Sequence, residues 1–447
     1  MKTKFLLLSI LFLNLGFADP QKSRFEELEL FNKVLFLIEK QYYRKVDTNK
    51  LIEGALKGMM DTLDPHSAFL NKDTFKKMQN DTKGEFGGLG IEVTEKDGQV
   101  YVVTPIDDTP AFRAGIRPKD KIVEINHESI LGLTLNQSVE KMKGKNGSKI
   151  HLGILREGTK DIIHFDIKRE IIKVRAVKSK LIDKYYAYLR LTQFQKNAAS
   201  SLINEIKKLE KKSKSGLRGI VLDLRSNPGG LLDQAVDVSS IFLKDGVVVS
   251  TEARDPNNKE IRYVKKSGYK KLNLPLAVLV NGASASASEI VAGAIQDHKR
   301  GIIVGSRTFG KGSVQTVAQV DESNGVKLTI AQYMTPKGRK IQAVGIKPDI
   351  ELVDIALDDF ENSVIEDNYI REKDLRNHLT ATIETAEEKK ERLKLEKADR
   401  LKRAAYLKNR NENRDKKKKA DDIFRRFSPE TDFQVGQAIG FLKARSL

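Results

Sequence analysis

The sequence predicts an α/β core that is interrupted by a smaller β-rich domain and flanked by helical N- and C-terminal regions. Apolar residues recur at helical spacing before residue 60, short β-branched segments fill residues 84 to 169, and strand-like and helix-like segments alternate after residue 172. Such alternation is typical of parallel strands joined by helices. We divide the chain into residues 1–18, 19–83, 84–170, 171–353 and 354–447.

The first 18 residues predict a secretory signal peptide. A basic start, Met1-Lys-Thr-Lys4, precedes the apolar stretch Phe5 to Leu13 and the small-residue zone Gly16-Phe-Ala18. The apolar stretch is short for a membrane span, although an uncleaved anchor stays an alternative. We therefore expect an exported protein, periplasmic or in the cell envelope, with membrane association if the anchor is retained. Since the 447 residues include no Cys, buried cores rather than disulfides must stabilise the fold.

Much of the formal net charge of +19 is local, with a surplus of 8 positive charges in one segment. Residues 387–419 carry 15 Lys and Arg against 7 Asp and Glu, which predicts a long solvated helix or a partly disordered arm. This basic arm could contact an anionic membrane surface or an acidic adaptor protein. Aromatic side chains that would stack on bases are nearly absent from it, so we expect no nucleic-acid partner.

The region before the β-rich domain predicts helices followed by a turn. Apolar positions between Phe25 and Met60 indicate two or more helices, and Leu63-Asp-Pro-His-Ser67 ends them. His66 lacks a neighbouring His, Asp or Glu at ligand spacing, which favours a structural role over a metal site.

The β-rich domain at 84–170 contains a glycine loop that could bind a peptide terminus. The loop Phe86-Gly-Gly-Leu-Gly-Ile91 enters a strand, and the clustered backbone N–H groups of Leu89, Gly90 and Ile91 can capture a peptide carboxylate while the strand edge pairs with the peptide. Glycine turns before strands are common, so the loop alone is a moderate signal. Helices are predicted from Pro110 to Ala114 and from Leu135 to Met142.

Two strand-to-helix junctions of the α/β region favour chemistry, because ligands of α/β sheets gather where strands end and helices begin. The first is Asp223-Leu-Arg-Ser-Asn-Pro-Gly-Gly230, between the predicted strand Gly219 to Leu224 and the predicted helix Leu231 to Leu243. The second carries Ser284, Ser286 and Ser288, between strand Pro275 to Val280 and the helix that ends at Gln296. A serine at such a turn is held clear of the backbone, as acyl transfer requires.

An oxyanion hole needs two preorganised N–H donors. If Ser286 is the nucleophile, one donor is Ala287, and the second can come from Gly229 or Gly230. The alternative interpretation is purely structural: Asn-Pro-Gly-Gly forms only a tight turn.

Helix geometry narrows the choice of base. Asp297 and His298 invite a Ser-His-Asp triad, but the intervening helix would hold them about 16 to 18 Å from Ser286 at 1.5 Å per residue. Lys311, in a Gly-Lys-Gly loop after the next strand, can return to the active edge. A neutral lysine requires its pKa to fall by about two to three units, which desolvation beside Phe309 could supply. Gln315 is the nearest group that could aim the amine.

A nucleotide-binding enzyme is a competing interpretation of the same segment. Gly305-Ser-Arg-Thr-Phe-Gly-Lys311-Gly312 differs from a P-loop by one residue. Gly312 has no hydroxyl to bind magnesium, and the following residues are β-branched rather than helical. The missing hydroxyl and the β-branched residues therefore argue against a P-loop and favour a role for Lys311 as a base.

The motifs taken together are similar to those of the carboxy-terminal processing peptidases over about residues 31 to 353. They comprise the Leu63–Ser67 turn, a segment at 84–170 that resembles a PDZ domain, Leu224-Arg-Ser-Asn-Pro-Gly-Gly230, Asn281-Gly-Ala-Ser-Ala-Ser-Ala-Ser-Glu289, Thr308-Phe-Gly-Lys-Gly-Ser-Val-Gln315, Tyr333-Met-Thr-Pro-Lys-Gly-Arg339 and Gly345-Ile-Lys-Pro-Asp349.

The resemblance implies an exported serine endopeptidase with a ClpP/crotonase-like core, a PDZ domain that docks the C-terminal tails of substrates, and no metal or cofactor. It places the nucleophile at Ser286 and the base at Lys311, with Gln315 beside the lysine. Asp297 belongs to the pattern as a charge-relay residue in some members, whereas helix geometry favours structural support.

Some family members are gated by the PDZ domain, and Arg156 is our candidate for the arginine that links tail binding to the catalytic residues. Asp432 to Lys443 resembles a closing helix used in dimerisation, so a homo-oligomer is expected. The alternative function is a non-catalytic PDZ scaffold, or an inactive protease fold that an adaptor regulates. A scaffold would not require Ser286, Lys311 and Gln315.

Overall fold

A computed structural model describes residues 23–352, 371–380 and 432–445, apart from positions 97, 107, 160, 174, 175 and 376, together with the single positions 390 and 394. The predicted signal peptide and nearly all of the basic arm lie outside the described residues. The chain divides into two compact units, with the boundary between Met59 and Met60. None of the helices in the described ranges is long and apolar enough to cross a membrane.

The first unit is helical, as the apolar spacing predicts. Helix α1 spans Arg24–Gln41 and begins at a capping box, in which the Ser23 side chain accepts from Glu26 N and the Glu26 carboxylate accepts from Ser23 N. Helix α2 spans Thr48–Asp61.

The β-rich domain of the second unit is built on one sheet with its own apolar core. Strand β1 and helix α3 lead into it, and its main sheet has the order β3-β4-β5-β7-β8, with β6 paired to β5 and a separate β2-β9 ribbon at its base. Helix α5 has the predicted bounds, and a capping box between Thr134 and Gln137 starts it. The elements are β1 Ala68–Leu70, α3 Lys72–Lys83, β2 Glu85–Gly88, β3 Ile91–Lys96, β4 Gln99–Pro105, α4 Pro110–Arg113, β5 Lys121–Ile125, β6 Glu128–Ser129, α5 Leu135–Met142, β7 Lys149–Leu155, β8 Ile163–Lys168 and β9 Glu170–Lys173.

The core sheet has the order β10-β11-β12-β15-β16-β19, with parallel pairing from β11 to β19. A second sheet, β1-β18-β13-β14 with β17 paired to β18, lies beside it. The elements are β10 Val177–Ile182, β11 Tyr186–Leu191, α6 Ala198–Lys212, β12 Gly219–Asp223, α7 Leu232–Phe242, β13 Val247–Ala253, β14 Ile261–Tyr263, β15 Leu276–Val280, α8 Ala287–Asp297, β16 Ile302–Gly305, β17 Ser313–Gln319, β18 Gly325–Met334, β19 Ile350–Glu351 and α9 Phe433–Arg445.

Both faces of the core sheet are buried. Successive residues of a strand point to opposite faces, and each face packs in its own apolar cluster. Leu222 packs in the cluster formed with α6, α7 and α8, whereas the preceding Val221 packs in the cluster formed with α9. Helix α9 contributes four fully or nearly fully buried side chains to that second cluster: Val435, Ala438, Ile439 and Leu442. This apolar face of the predicted closing helix is therefore occupied by its own chain.

One predicted strand is shorter in the structure. The strand-like run of residues predicts a strand from Tyr186 to Phe194, whereas β11 ends at Leu191. Beyond it the chain leaves β12, and Phe194 forms an isolated bridge with Gly230 instead. This bridge ties the end of β11 to the first of the two candidate junctions.

Candidate active site

Three loops meet at one edge of the core sheet, after the neighbouring parallel strands β12, β15 and β16. They contain the Asn-Pro-Gly-Gly junction, the serine turn and the Gly-Lys-Gly loop. The carboxyl ends of adjacent parallel strands lie side by side, so the strand order alone brings these three segments together.

Ser286 occupies a sharp turn immediately before α8. Its backbone has φ 54° and ψ −113°, a conformation that a residue with a side chain adopts only under strain. The side chain is half-buried. Such a strained strand-to-helix turn projects a nucleophile away from the backbone.

The flanking serines fasten this turn to the neighbouring loop. Ser284 Oγ donates to Leu224 O at 2.8 Å, and Ser288 Oγ donates to Asn227 O at 3.0 Å. Both side chains are fully buried. The two outer serines therefore hold the Asn-Pro-Gly-Gly loop against the turn.

Gly229 lies so close to Ser286 that only glycine fits. A Cβ at position 229 would stand 2.8 Å from Ser286 Cβ and 3.0 Å from Ala287 N, and Gly229 has φ +104°. Ala287 is the first residue of α8, where an N–H group has no intrahelical partner. The predicted oxyanion donors thus lie on adjoining segments.

The two glycines differ in what their N–H groups do. Gly229 N donates to Asn227 Oδ1 at 2.9 Å. Gly230 N donates to no residue that the structure describes. Of the two alternatives for the second oxyanion donor, Gly230 is therefore the one whose N–H group is available in this conformation.

The start of this loop is anchored by a buried ion-pair network. Arg225 binds both oxygens of the fully buried Asp223, at 3.0 and 2.7 Å, and binds Asp432 at 2.9 Å. Burial opposes the charge on Arg225, but its hydrogen bonds to the two carboxylates outweigh burial and raise its pKa. Tyr188 OH also donates to Asp223, at 2.6 Å. The loop is therefore linked to the residue that precedes α9.

Lys311 has the environment that a lysine base needs. Burial lowers its pKa, and the positive charge of Lys327 lowers the pKa further. The charges of Glu372, Glu289 and Asp64 act in the opposite direction without reversing the net shift. Its amine makes no hydrogen bond with any residue in the described ranges.

Gln315 does not form a hydrogen bond with the Lys311 amine in this conformation. Its Nε2 donates to Ser313 Oγ at 2.9 Å and to Thr329 Oγ1 at 3.3 Å. Thr329 Oγ1 in turn donates to Asp64 Oδ1 at 3.1 Å. The Leu63–Ser67 turn therefore supports the strand pair that carries Gln315.

Glu289 joins the serine turn to the lysine loop and was missed by the sequence interpretation. Its carboxylate accepts hydrogen bonds from Ser286 N, Gly310 N and Lys311 N at 2.8, 2.7 and 2.9 Å, and from the Thr308 hydroxyl. Complete burial raises its pKa to about 7, although these hydrogen bonds favour the charged form. The spacing Ser286-x-x-Glu289 is that of a capping box, which could have revealed it.

Asp297 lies at the opposite end of α8 from Ser286. Its Oδ2 accepts from Lys337 N at 2.9 Å, and its Oδ1 binds Arg339. These contacts fasten the segment after β18 to α8, and none of them reaches the serine turn.

In the β-rich domain, the glycine loop is shaped by contacts of its carbonyl groups. Leu89 O accepts from Ala111 N at 3.0 Å, and Gly90 O accepts from Ile106 N at 2.8 Å. Gly90 has φ +76°, and a Cβ there would stand 2.3 Å from Thr109 Cβ. Ile91 then begins β3, an edge strand of the sheet. An extended peptide could pair with such an edge.

Arg156 is bound within the β-rich domain. Its Nε and Nη2 donate to the two oxygens of Asp120, both at 2.8 Å, and Nη2 donates to Gly115 O at 3.0 Å. The hydrogen bonds to Asp120 raise the pKa of Arg156. Among the described residues, none of the hydrogen bonds of Arg156 reaches the three loops at the edge of the core sheet.

Comparison with known proteins gives matches along most of the chain. Residues 16–74 match the activating protease CtpB N-terminal domain, residues 87–167 match the PDZ domain, and residues 185–352 match peptidase family S41. The chain is 46% identical over 334 residues to a carboxy-terminal-processing protease of Bartonella bacilliformis, covering 74% of this chain and 76% of that protein. It is 38% identical over 342 residues to carboxy-terminal processing protease CtpA of Bacillus subtilis, covering 76% and 72%.

Proposed function

Because this chain belongs to peptidase family S41, among the carboxy-terminal processing proteases, we propose that it is exported, docks the C-terminal tails of protein substrates on its PDZ domain, and cleaves them through a Ser286–Lys311 dyad. The chain is a serine-type peptidase with a PDZ domain. The dyad, the donors of the oxyanion hole and the export route are the parts that we propose.

In the first step, Ser286 Oγ attacks the carbonyl carbon of the scissile bond while neutral Lys311 accepts the hydroxyl proton. The lowered pKa of Lys311 supports this role, because only the neutral amine can accept a proton. The negative charge then develops on the former carbonyl oxygen. Ala287 N–H and Gly230 N–H are the donors we assign to it, with Gly229 needed for the close approach of its loop.

In the second step, the tetrahedral intermediate collapses, the peptide C–N bond breaks, and Lys311 gives its proton to the leaving amine. Ser286 is left as an acyl ester. Water then attacks the ester, and Lys311 takes one proton from that water. As the second tetrahedral intermediate collapses, its C–Oγ bond breaks, the new carboxyl terminus leaves, and Lys311 returns the proton to Ser286 Oγ.

The observation that carries this proposal is the shared contact of Glu289. One carboxylate holds the backbone of the nucleophile turn and the backbone of the lysine loop at the same time. A non-catalytic scaffold would have no need for that connection, nor for a half-buried lysine without a hydrogen-bond partner among the described residues.

We further propose that the substrate tail binds at Leu89, Gly90 and Ile91, with its backbone along β3. Export through residues 1–18, homo-oligomerisation, and contact of the basic arm with an adaptor or a membrane surface also belong to this proposal. Gln315 is assigned to aim the Lys311 amine, which requires its side chain to leave Ser313 and Thr329 when substrate binds.

The decisive experiment compares wild type, Ser286→Ala and Lys311→Ala on a disordered peptide with an apolar C-terminal tail. We expect cleavage by wild type and a loss of several orders of magnitude in kcat for both variants. A second peptide with an amidated C-terminus tests the tail requirement. Cleavage by either variant at the wild-type rate would reject the dyad. Selective binding of the free-tail peptide by a folded wild type that cleaves neither peptide would favour the scaffold alternative.

A further inference from the structure

Glu372 is a fully buried carboxylate beside the lysine loop, in a segment beyond the residues 185–352 that match family S41. The segment begins at Arg371, continues through a short 3-10 helix over Glu372–Asp374, and is described to residue 380. Arg371 Nη1 donates to Thr308 O at 3.3 Å, and Glu372 N donates to Phe309 O at 3.2 Å. The segment therefore lies directly against the loop that carries Lys311.

The Glu372 side chain reaches the other end of the same loop through one intermediate. Gln342 Nε2 donates to Glu372 Oε1 at 2.8 Å, and Gln342 Oε1 accepts from Gly312 N at 2.9 Å. Gly312 also has no room for a side chain, since a Cβ there would stand 2.4 Å from Gln342 N. Glu372 thus contacts the residues on both sides of Gly310 and Lys311, through its N–H at Phe309 and through Gln342 at Gly312.

A third contact connects Glu372 to the Leu63–Ser67 turn. His66 Nε2 lies 2.8 and 2.7 Å from the two carboxylate oxygens of Glu372. The same turn supports Thr329, which binds Gln315. His66 thereby gains a partner that lies 306 positions away in the sequence.

We propose that Glu372, held by His66 and Gln342, is a positioning residue for Lys311: it fixes the lysine loop through contacts separate from those of Glu289. The proposal rests on the proposed function, because it assigns Lys311 as the base. The lysine loop is then held between two buried glutamates. Glu289 contacts it from the nucleophile helix, and Glu372 contacts it from the C-terminal segment.

Two features favour a positioning role over a simple packing role. An uncompensated buried carboxylate is costly, so an apolar residue would serve better if only volume were needed. The charge of Glu372 also acts on Lys311 by raising its pKa, against the larger effect of burial. Glu372 therefore contributes both to the location of the amine and to the pH at which it becomes neutral.

The test compares wild type with Glu372→Gln, which keeps the side-chain shape and removes the charge. We expect kcat for the tailed peptide to fall about 10- to 100-fold, since small displacements of a catalytic group have effects of this size. KM should change little, because the tail site is elsewhere. The acidic limb of kcat/KM against pH should move to lower pH, because a negative charge that favours protonated Lys311 is removed. Glu351→Gln, on an exposed side chain of β19, is the matched control and should leave the kinetics unchanged.

The outcomes separate this inference from the proposed function. Active wild type, inactive Ser286→Ala and unaltered Glu372→Gln would reject the inference and leave the dyad standing. Loss of activity in Glu372→Gln with an unmoved acidic limb and a lowered unfolding midpoint would assign Glu372 a purely structural role, which also rejects it. Full activity of Ser286→Ala would instead reject the proposed function.

A second variant covers the case in which Glu372→Gln does not fold. Gln342→Asn keeps the buried carboxylate and its contact with His66 but shortens the connection to Gly312. We expect a similar fall in kcat with the acidic limb in place. Wild-type kcat in folded Gln342→Asn would overturn the positioning role.

Discussion

Ser286 and Lys311 donate their backbone N–H groups to the same oxygen atom, Glu289 Oε2, at 2.8 and 2.9 Å. The distance between the two backbone nitrogens therefore cannot exceed the sum of these two distances. The residues are 25 positions apart in the chain, so one carboxylate holds together the backbones of the proposed nucleophile and the proposed base.

The pH dependence of cleavage should report the pKa of Lys311. We expect kcat/KM to rise with pH along an acidic limb whose midpoint lies below about 10.4, the ordinary pKa of lysine. Burial and the charge of Lys327 both lower the pKa, so the base becomes neutral at a lower pH than a free lysine. Lys327→Gln should move the limb to higher pH, and Lys337→Gln, on an exposed side chain, should not. An unmoved limb in Lys327→Gln would argue against Lys311 as the titrating base.

The stability contribution of Glu289 should decline as pH rises. Burial raises its pKa from 4.5 to about 7, so the folded protein retains a proton that the unfolded chain has already released. This contribution is complete below pH 4.5 and is lost as pH passes through 7. Relative to Glu289→Gln, which cannot titrate, wild type should lose up to about 3 kcal/mol of unfolding free energy across that range. Urea unfolding of both proteins from pH 4 to 8 measures the difference, and a constant difference would contradict the shift.

Backbone strain at Ser286 should appear as an unusual preference for glycine. At φ 54° and ψ −113° a Cβ is unfavourable, so Ser286→Gly should be about 1 kcal/mol more stable than Ser286→Ala. Ser288 lies inside the same helix and supplies the control. There the order should reverse, with glycine about 1 kcal/mol less stable than alanine. Thermal unfolding of the four variants checks both signs, and the same order at both positions would rule out strain at the turn.

The gating role that we predict for Arg156 needs a test that distinguishes it from the stabilising ion pair between Arg156 and Asp120. Arg156→Ala alone would leave a buried carboxylate without its partner and destabilise the PDZ domain by about 3 kcal/mol. In Arg156→Ala/Asp120→Asn that charge is removed, and most of the lost stability should return. If Arg156 links tail binding to catalysis, the double variant should still cleave tailed and amidated peptides at similar rates. Restored preference for the free tail in the double variant would show that Arg156 only stabilises the domain.

Local sequence signals predicted helices and strands such as α5, and they predicted that the serine turn and the lysine loop lie at the same edge of the sheet. Helix α5 has the bounds Leu135–Met142 because a capping box and an apolar face agree on its limits. The serine turn and the lysine loop follow strands β15 and β16, and parallel pairing of these strands places the loops at one edge. Strand and helix periodicity therefore carried the information that brings Ser286 and Lys311 together.

Contacts between distant segments could not be predicted in this way. The His66–Glu372 contact joins residues 306 positions apart, and the Arg225–Asp432 contact joins residues 207 positions apart. The sequence predicts Gln315 beside the Lys311 amine, whereas in the structure its amide donates to Ser313 and Thr329. Neither periodicity nor motif spacing contains the tertiary packing that selects such partners.

The stretch between residues 381 and 431 is tied down independently at each end. Glu372 fastens the preceding segment to the lysine loop, while Asp432 and α9 fasten the following segment to Arg225 and the core sheet. A foreign sequence spliced into this stretch would leave both attachments unchanged. The chain therefore offers a position where a fluorescent reporter or an affinity tag could be inserted while the described contacts on both sides are kept.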